Sequence, residues 1–148
     1  MVASPVAPGP SPLSGDGAEG TPSPAPGAPL LSVVVPVRNE APNILPLVAE
    51  IEAALAAVPH EIVYVDDGSD DETPSMLAQA AATAPLRSLR HVRSCGQSAA
   101  VVTGVKAARG RWIATLDGDG QNDPADIPRL LARAESEGAD GLLLVAGH

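Results

Sequence analysis

The 148-residue sequence predicts a doubly wound α/β domain, a mostly parallel sheet with helices on both faces. Three observations carry that expectation. Short β-branched apolar runs alternate with stretches of helical spacing, the connections between them are short, and polar residues collect in the loops that follow the strands.

The elements follow in order from Leu30. Leu31-Ser32-Val33-Val34-Val35 reads as a strand buried on both faces. Pro42 suits the first turn of a helix, and Ile44, Val48, Ile51, Leu55 and Val58 recur at helical spacing until Pro59 ends it. Glu61 to Asp66 is the second strand, closing on Asp67-Gly68-Ser69. Ser69 and Glu72 have the spacing of a capping box opening a helix over 70–84. Leu86 to Val92 reads as the third strand, and Gly96 to Ala108 as a helix stopped by Gly110 at its C′ position. Trp112 to Leu116 is the fourth strand, Pro124 to Glu137 a helix with Ile127, Leu130, Leu131 and Ala134 on one face, and Gly141 to Ala146 a fifth strand. Residues 1–29 hold eight of the 16 prolines with Ala, Gly and Ser and no hydrophobic period, so a disordered tail is expected there and a domain over 30–148.

Composition narrows the function classes. The net charge of −9 leaves no basic footprint for nucleic acid. The same acidity opposes a phosphorylated ligand unless a divalent cation mediates. With Cys95 alone no internal disulfide can form, which favours a reducing, cytoplasmic setting. No run of about 18 apolar residues suits a membrane span, and the N-terminus lacks the pattern of a secretory signal.

The polar loops should lie on one rim, because ligands of such sheets bind beyond the carboxyl ends of the strands. They are Pro36 to Glu40, Asp66 to Ser69, and Asp117 to Asp123. In the last, Asp117 and Asp119 are separated by one residue, so extended backbone projects both carboxylates to one side. Gly118 and Gly120 let a bulky ligand approach, and carboxylate and amide oxygens are the ligands Mg²⁺ or Mn²⁺ prefers. On the loop alone, a metal site and a plain solvated turn stay equally open. A calcium-binding EF-hand loop starting at Asp117 fails, because Asn122 and Pro128 stand where Gly and Glu are needed. A dinucleotide-binding glycine fingerprint is replaced by Pro36-Val37-Arg38-Asn39-Glu40.

Taken together, Ser32 to Glu40, Val65-Asp66-Asp67-Gly68-Ser69 and Leu116 to Pro124 resemble family 2 glycosyltransferases of the GT-A fold. Gly96-Gln97-Ser98-Ala99-Ala100, Gly104 and Ala108-Arg109-Gly110 are similar to its dolichyl- and polyprenyl-phosphate sugar transferase branch. The likeness runs over residues 31–148 and implies roles. Pro36, Arg38, Asn39 and Glu40 would lie along the nucleoside, Asp66 would accept from the base, and Asp67 would support the ribose or the loop around it. Gly96 and Gln97 join the substrate-binding set, although the helix beginning there also has a plain packing role against the sheet. Asp117 and Asp119 match the D-x-D pair, with Asp119 and Gln121 the direct metal ligands and Asp117 nearer the ribose or a metal-bound water. Plainer readings stand beside these. Asn39 and Glu40 suit a helix cap, Asp66 to Ser69 a helix-opening turn, His91 a satisfied structural histidine, and Cys95 a small hydrophobe.

The implied activity is metal-dependent transfer of a sugar, with inversion, from a nucleotide-diphosphate donor to a polyprenyl or dolichyl phosphate. The expected cofactor is Mg²⁺ or Mn²⁺. The family's acceptor-binding half would follow the fifth strand, whereas this sequence ends at Gly147-His148. Residues 1–148 are therefore expected to be the donor-binding half of a longer protein, touching membrane only through the missing part and acting at its cytoplasmic face. A non-catalytic nucleotide-sugar-binding module is the alternative. A phosphorelay receiver would need an acidic pair at the first strand and a Lys after the last; a sugar-phosphate nucleotidyltransferase would need a basic, Gly-rich first loop. Neither pattern is present.

Overall fold

A computed structural model describes residues 2–3 and 27–137. In chain order the elements are β1 (Val2–Ala3), β2 (Leu31–Val37), α1 (Ala41–Ala54), β3 (His60–Asp66), α2 (Thr73–Ala81), β4 (Leu86–Arg90), α3 (Gln97–Ala107), β5 (Trp112–Thr115) and α4 (Ile127–Ser136). A short 3₁₀ turn, Pro124–Asp126, leads into α4. The strand expected over 141–146 lies outside the described residues.

One sheet holds all five strands in the order β1-β5-β2-β3-β4. The four longer strands are parallel, and β1 alone runs antiparallel, Val2 opposite Ala114. The sequence reading of residues 1–29 as a plain tail did not anticipate that pairing. From β2 the chain adds β3 and then β4 on one side, and returns to place β5 on the other. The reversal between β2 and β5 is a topological switch point, where the helices leave a crevice at the carboxyl ends of the strands.

Both faces of the sheet are covered. On one, Val33, Val35, Val37, Ile62, Tyr64, Trp112 and Ala114 pack with Ile44, Leu47, Val48 and Ile51 of α1, Leu77 of α2, and Ile127, Leu130 and Leu131 of α4. On the other, Val34, Val63 and Ile113 meet α3 through Val105 and Ala107. Two-sided burial explains why β2 and β3 read as continuous apolar runs rather than alternating ones. Each fully buried Val, Leu or Ile contributes about 1.5–3 kcal/mol through removal of apolar surface from water.

Four local details differ from the sequence expectation, each for a physical reason. Strand β2 continues through Pro36 to Val37; β5 pairs only with Leu31 to Val34, so the missing Pro36 N–H faces no partner strand on that side. The Ser69–Glu72 capping box does not form. Ser69 Oγ instead accepts from Asn39 N–H at 2.8 Å, and α2 starts at Thr73, whose N–H donates to Asp71 Oδ1. Strand β4 ends at Arg90, because its partner β3 ends at Asp66; the His91 N–H makes the last rung, to the Asp66 carbonyl. Gly110 is not a left-handed helix cap. A Cβ there would stand 2.5 Å from the Ser32 nitrogen, so close approach of two backbones requires the glycine.

Candidate functional site

A cleft of about 390 Å³ opens at the carboxyl end of the sheet, over the switch point. Pro36, Val37, Arg38 and Glu40 after β2 form one part of its wall, Asp67 after β3 a second, Ser94, Gly96, Gln97 and Ala100 a third, and Asp117 to Asp119 after β5 a fourth. The segment after β4 joins the three polar loops there, bringing Ser94 beside the Gly96 and Gln97 that the sequence had singled out.

The loop after β2 is fixed by its neighbour. Asn39 adopts a left-handed backbone, φ 53°, and its side-chain oxygen accepts from Asp70 N–H at 3.0 Å. Glu40 N–H donates to Thr73 Oγ1, and the Glu40 carboxylate accepts from the Asn43 amide at 2.6 Å. Asn39 thus ties two loops together outside the cleft lining, while Arg38 and Glu40 flank the opening.

The adjacent pair Asp66 and Asp67 divides its work. As the last residue of β3, Asp66 points opposite to its successor. It is 1% exposed, accepts from Ser69 N–H at 2.9 Å, and lies 3.6 Å from Arg90 Nε. It braces the turn and does not line the cleft. Asp67 does line it, although the resemblance in sequence implied the contact to a base for Asp66 and a supporting role for Asp67.

The Asp67 carboxylate is also the hub of the 91–97 segment. Oδ1 accepts from His91 Nδ1–H at 2.7 Å and Cys95 N–H at 2.8 Å; Oδ2 accepts from Ser94 Oγ and Gly96 N–H, both at 2.9 Å. A carboxylate only accepts, so the His91 proton facing it is on Nδ1. Burial alone would raise the carboxyl's pKa, but the donors from Cys95, His91, Ser94 and Gly96 outweigh it and hold the group well below the usual carboxylate range. Asp67, His91 and Cys95 also bring potential metal-ligating atoms within 4.8 Å of one another. Asp67 and His91 already spend those atoms on each other, which makes this a hydrogen-bonded knot rather than a metal cage.

Gly118 seats the acidic loop. A Cβ on it would stand 2.3 Å from Val37 Cγ1 and 3.0 Å from the Pro36 oxygen, so the loop after β5 lies directly on the end of β2. Asp117 and Asp119 are consequently held exposed beside one another on the rim. Gln97 Nε2 donates to Asp117 Oδ1 at 2.9 Å across the cleft, and Asp119 Oδ1 accepts from Gln121 N–H. The two exposed carboxylates supply the hard oxygen donors a divalent cation prefers and keep acceptor positions free for it. Gln121 is exposed but does not line the cleft.

Of the sequence-predicted residues, Pro36, Arg38, Glu40, Asp67, Gly96, Gln97, Asp117 and Asp119 come together; Asn39, Asp66 and Gln121 stay outside the lining. Ser94 was missed. It receives a hydrogen bond from Arg38 Nη1 at 3.0 Å while donating to Asp67, and its only sequence signal is its place just after a strand, before Gly96. A second cavity, about 610 Å³, lies at the opposite end against Glu61, Arg87 and Arg109. There Glu61 accepts from Ser32 Oγ, the Arg109 N–H and Arg87, an arrangement that ties strands together and uses up the Arg87 charge.

The model of glycosyl transferase family 2 matches residues 32–146. The chain belongs to that family. Among curated relatives, it is 43% identical over 117 residues to a dodecaprenyl-phosphate galacturonate synthase of Rhizobium johnstonii, covering 76% of this chain and 35% of the relative. It is also 43% identical over 109 residues to an undecaprenyl-phosphate 4-deoxy-4-formamido-L-arabinose transferase of Pseudomonas fluorescens, covering 71% and 32%. A solved mannosyltransferase from Pyrobaculum calidifontis, in complex with GDP-Man and Mn²⁺, superposes with a TM-score of 0.63 at 27% identity, covering 76% of this chain and 33% of that one. This family 2 chain therefore spans about a third of the length of the relatives it matches. Among the described residues, no helix is long and apolar enough to cross a membrane.

Proposed function

We propose that residues 30–148 are the donor-binding part of a glycosyltransferase that passes a sugar, with inversion, from a nucleoside-diphosphate donor to a polyprenyl phosphate. The observation that carries the reading is the cleft at the switch point. Arg38, Glu40 and Asp67 stand on one wall and the Asp117–Asp119 pair on the other. The polyprenyl-phosphate names of the relatives support the acceptor class, and the GDP-Man and Mn²⁺ of the solved mannosyltransferase support the donor class and a divalent cation.

In this reading the nucleoside lies against Pro36, Arg38, Glu40 and Asp67, and the diphosphate reaches the acidic rim. Asp117 and Asp119 would hold Mg²⁺ or Mn²⁺, with Gln121 able to join after a local movement of its loop. Bound there, the cation supplies Lewis-acid neutralisation of the charge on the departing diphosphate. A phosphate oxygen of the acceptor attacks the anomeric carbon from the face opposite the leaving group. The carbon–oxygen bond to the diphosphate breaks, its electron pair leaving with the nucleoside diphosphate. An acceptor that is already anionic needs little help from a base, which suits a chain whose recognisable residues all serve the donor. The catalytic face would be cytoplasmic, in keeping with a single cysteine.

Titration calorimetry of the chain with UDP and with GDP tests the site. Binding of one of them is expected only with Mn²⁺ or Mg²⁺ present, and Asp119→Asn should weaken it about tenfold, the cost of one charged contact. Equal binding in the presence of a chelator would sink the assignment. Residues 1–148 alone should bind without measurable sugar transfer.

A further inference from the structure

Thr103, His91, Asp67, the 93–97 segment and Asp117 form one unbroken chain of contacts beneath and across the cleft. His91 sits in its middle, with Nε2 2.8 Å from Thr103 Oγ1 on α3 and Nδ1 donating to Asp67. Its side chain is about 17% exposed, so water competes weakly for either nitrogen. The Thr103 hydroxyl also lies 3.0 Å from the Ala99 carbonyl one turn earlier in α3, and its one proton serves either that oxygen or His91 Nε2. The imidazole is thereby gripped between a helix and a strand end.

That grip matters because of what Asp67 organises. Its remaining acceptor positions take Ser94 Oγ and the successive backbone N–H groups of Cys95 and Gly96. The segment bends around a single carboxylate and leaves it at Gly96 with φ 98°. Gly68 leaves no slack beneath it, since a Cβ there would come within 2.8 Å of the Ser94 nitrogen. At one end of the bend Ser94 receives Arg38; at the other, Gln97 reaches Asp117. Without His91, Oδ1 keeps only the Cys95 N–H while Oδ2 keeps Ser94 and Gly96, so the carboxylate would be held less firmly about χ2 and the bend leading to both wall contacts would adjust with it.

We propose that His91 is a positioning residue of the donor cleft. Held by Thr103, it fixes the orientation of the Asp67 carboxylate, and through the 93–97 bend it sets both Arg38 and the Gln97–Asp117 contact. This rests on the donor-site reading only for its effect on nucleotide affinity; the effect on the loop is independent of it.

The test uses the chain with Mn²⁺ and whichever of UDP or GDP the unaltered protein binds. His91→Leu removes the donor and should weaken binding about tenfold, as expected for losing one hydrogen bond to a charged group. His91→Asn returns an N–H donor toward Asp67 and should recover affinity to within about threefold, a rescue that bulk packing alone would not give. In amide NMR spectra, the Cys95 and Gly96 N–H resonances and the Gln97 side-chain amide should move in His91→Leu and return in His91→Asn. Unchanged affinity in a folded His91→Leu, or a folded His91→Asn without rescue, overturns the proposal. Should His91→Leu fail to fold, His91→Asn and Thr103→Val decide: Thr103→Val is expected to shift the Gln97 resonance, and an unmoved Gln97 overturns the proposal. If the unaltered chain binds neither nucleotide, the donor reading falls. The resonances of Cys95, Gly96 and Gln97 then still report whether His91 sets the loop, and their indifference to His91→Leu counts against it.

Discussion

Asp67 shows how much one carboxylate can hold when all of its acceptor positions are filled. Its folded pKa lies below its unfolded one, so the sign of the pH dependence follows directly. The stabilisation it provides is complete above the unfolded value, about 4, and is lost as pH falls below that toward the folded value. Glu61 is also shifted downward; burial opposes the shift, and hydrogen bonds from Ser32, the Arg109 N–H and Arg87 outweigh it, so it adds to the same acid limb. Thermal melts of the chain from pH 6 to pH 2 should show stability falling below about pH 4. Asp67→Asn should be less stable at neutral pH and lose part of that slope; a parallel pH profile would remove Asp67 from the account. At this scale the sequence was informative about type and ambiguous about direction. Asp117 and Asp119 stood out through company rather than by themselves: the loop alone suits a solvated turn equally well, and only its place after a strand, beside two other polar loops, singled it out. Asp66 and Asp67 were not separable, because only the register of β3 decides which one faces the cleft and which one the turn. His91 and Ser94 carry no local pattern, and their role exists only once β4 lies beside β3.

Helix α3 is the element on which the site depends most and about which hydrophobic periodicity says least. Its buried residues are only Ala100 and Gly104, so it lies on the sheet through absence of side chain rather than through large apolar residues. A Cβ at Gly104 would stand 2.4 Å from Val34 Cγ1 and 3.1 Å from Val65 Cγ2. Two effects compete in Gly104→Ala. Helix propensity favours alanine by about 1 kcal/mol, whereas overpacking a filled core costs roughly 1–3 kcal/mol. Both valines are β-branched members of the central strands with little freedom to move, so overpacking should win. Net destabilisation of up to about 2 kcal/mol is expected in urea unfolding. A stabilised variant would show that α3 can lift from the sheet at little cost. Strands β2, β3 and β5 and helix α1 were readable from their apolar runs. The start of α2 was not, because Ser69 has a stronger use in holding Asn39 than in capping a helix three residues later.

At the scale of the whole molecule, alternating strands and helices were enough to anticipate the sheet, its mostly parallel polarity and the end at which the cleft opens. The antiparallel β1 was not anticipated, since two residues in a proline-rich segment carry no periodic signal. The strand order has one further consequence, for the time course of folding. Leu31 pairs with His60, 29 positions on, and also with Trp112, 81 positions on. Closing the longer loop costs roughly 1 kcal/mol more chain entropy, and it is offset only once β5 docks. The β2-β3-β4 half can therefore assemble while the acidic rim is still adrift, and the cleft becomes whole only in the last step. The single tryptophan lies at the start of that late strand, 1% exposed when folded. In refolding experiments its fluorescence should lag behind the recovery of backbone circular dichroism, and coincident traces would exclude this order of events. The residues that meet a ligand would then be the last to find one another, which makes occupancy of the cleft a report on completed folding.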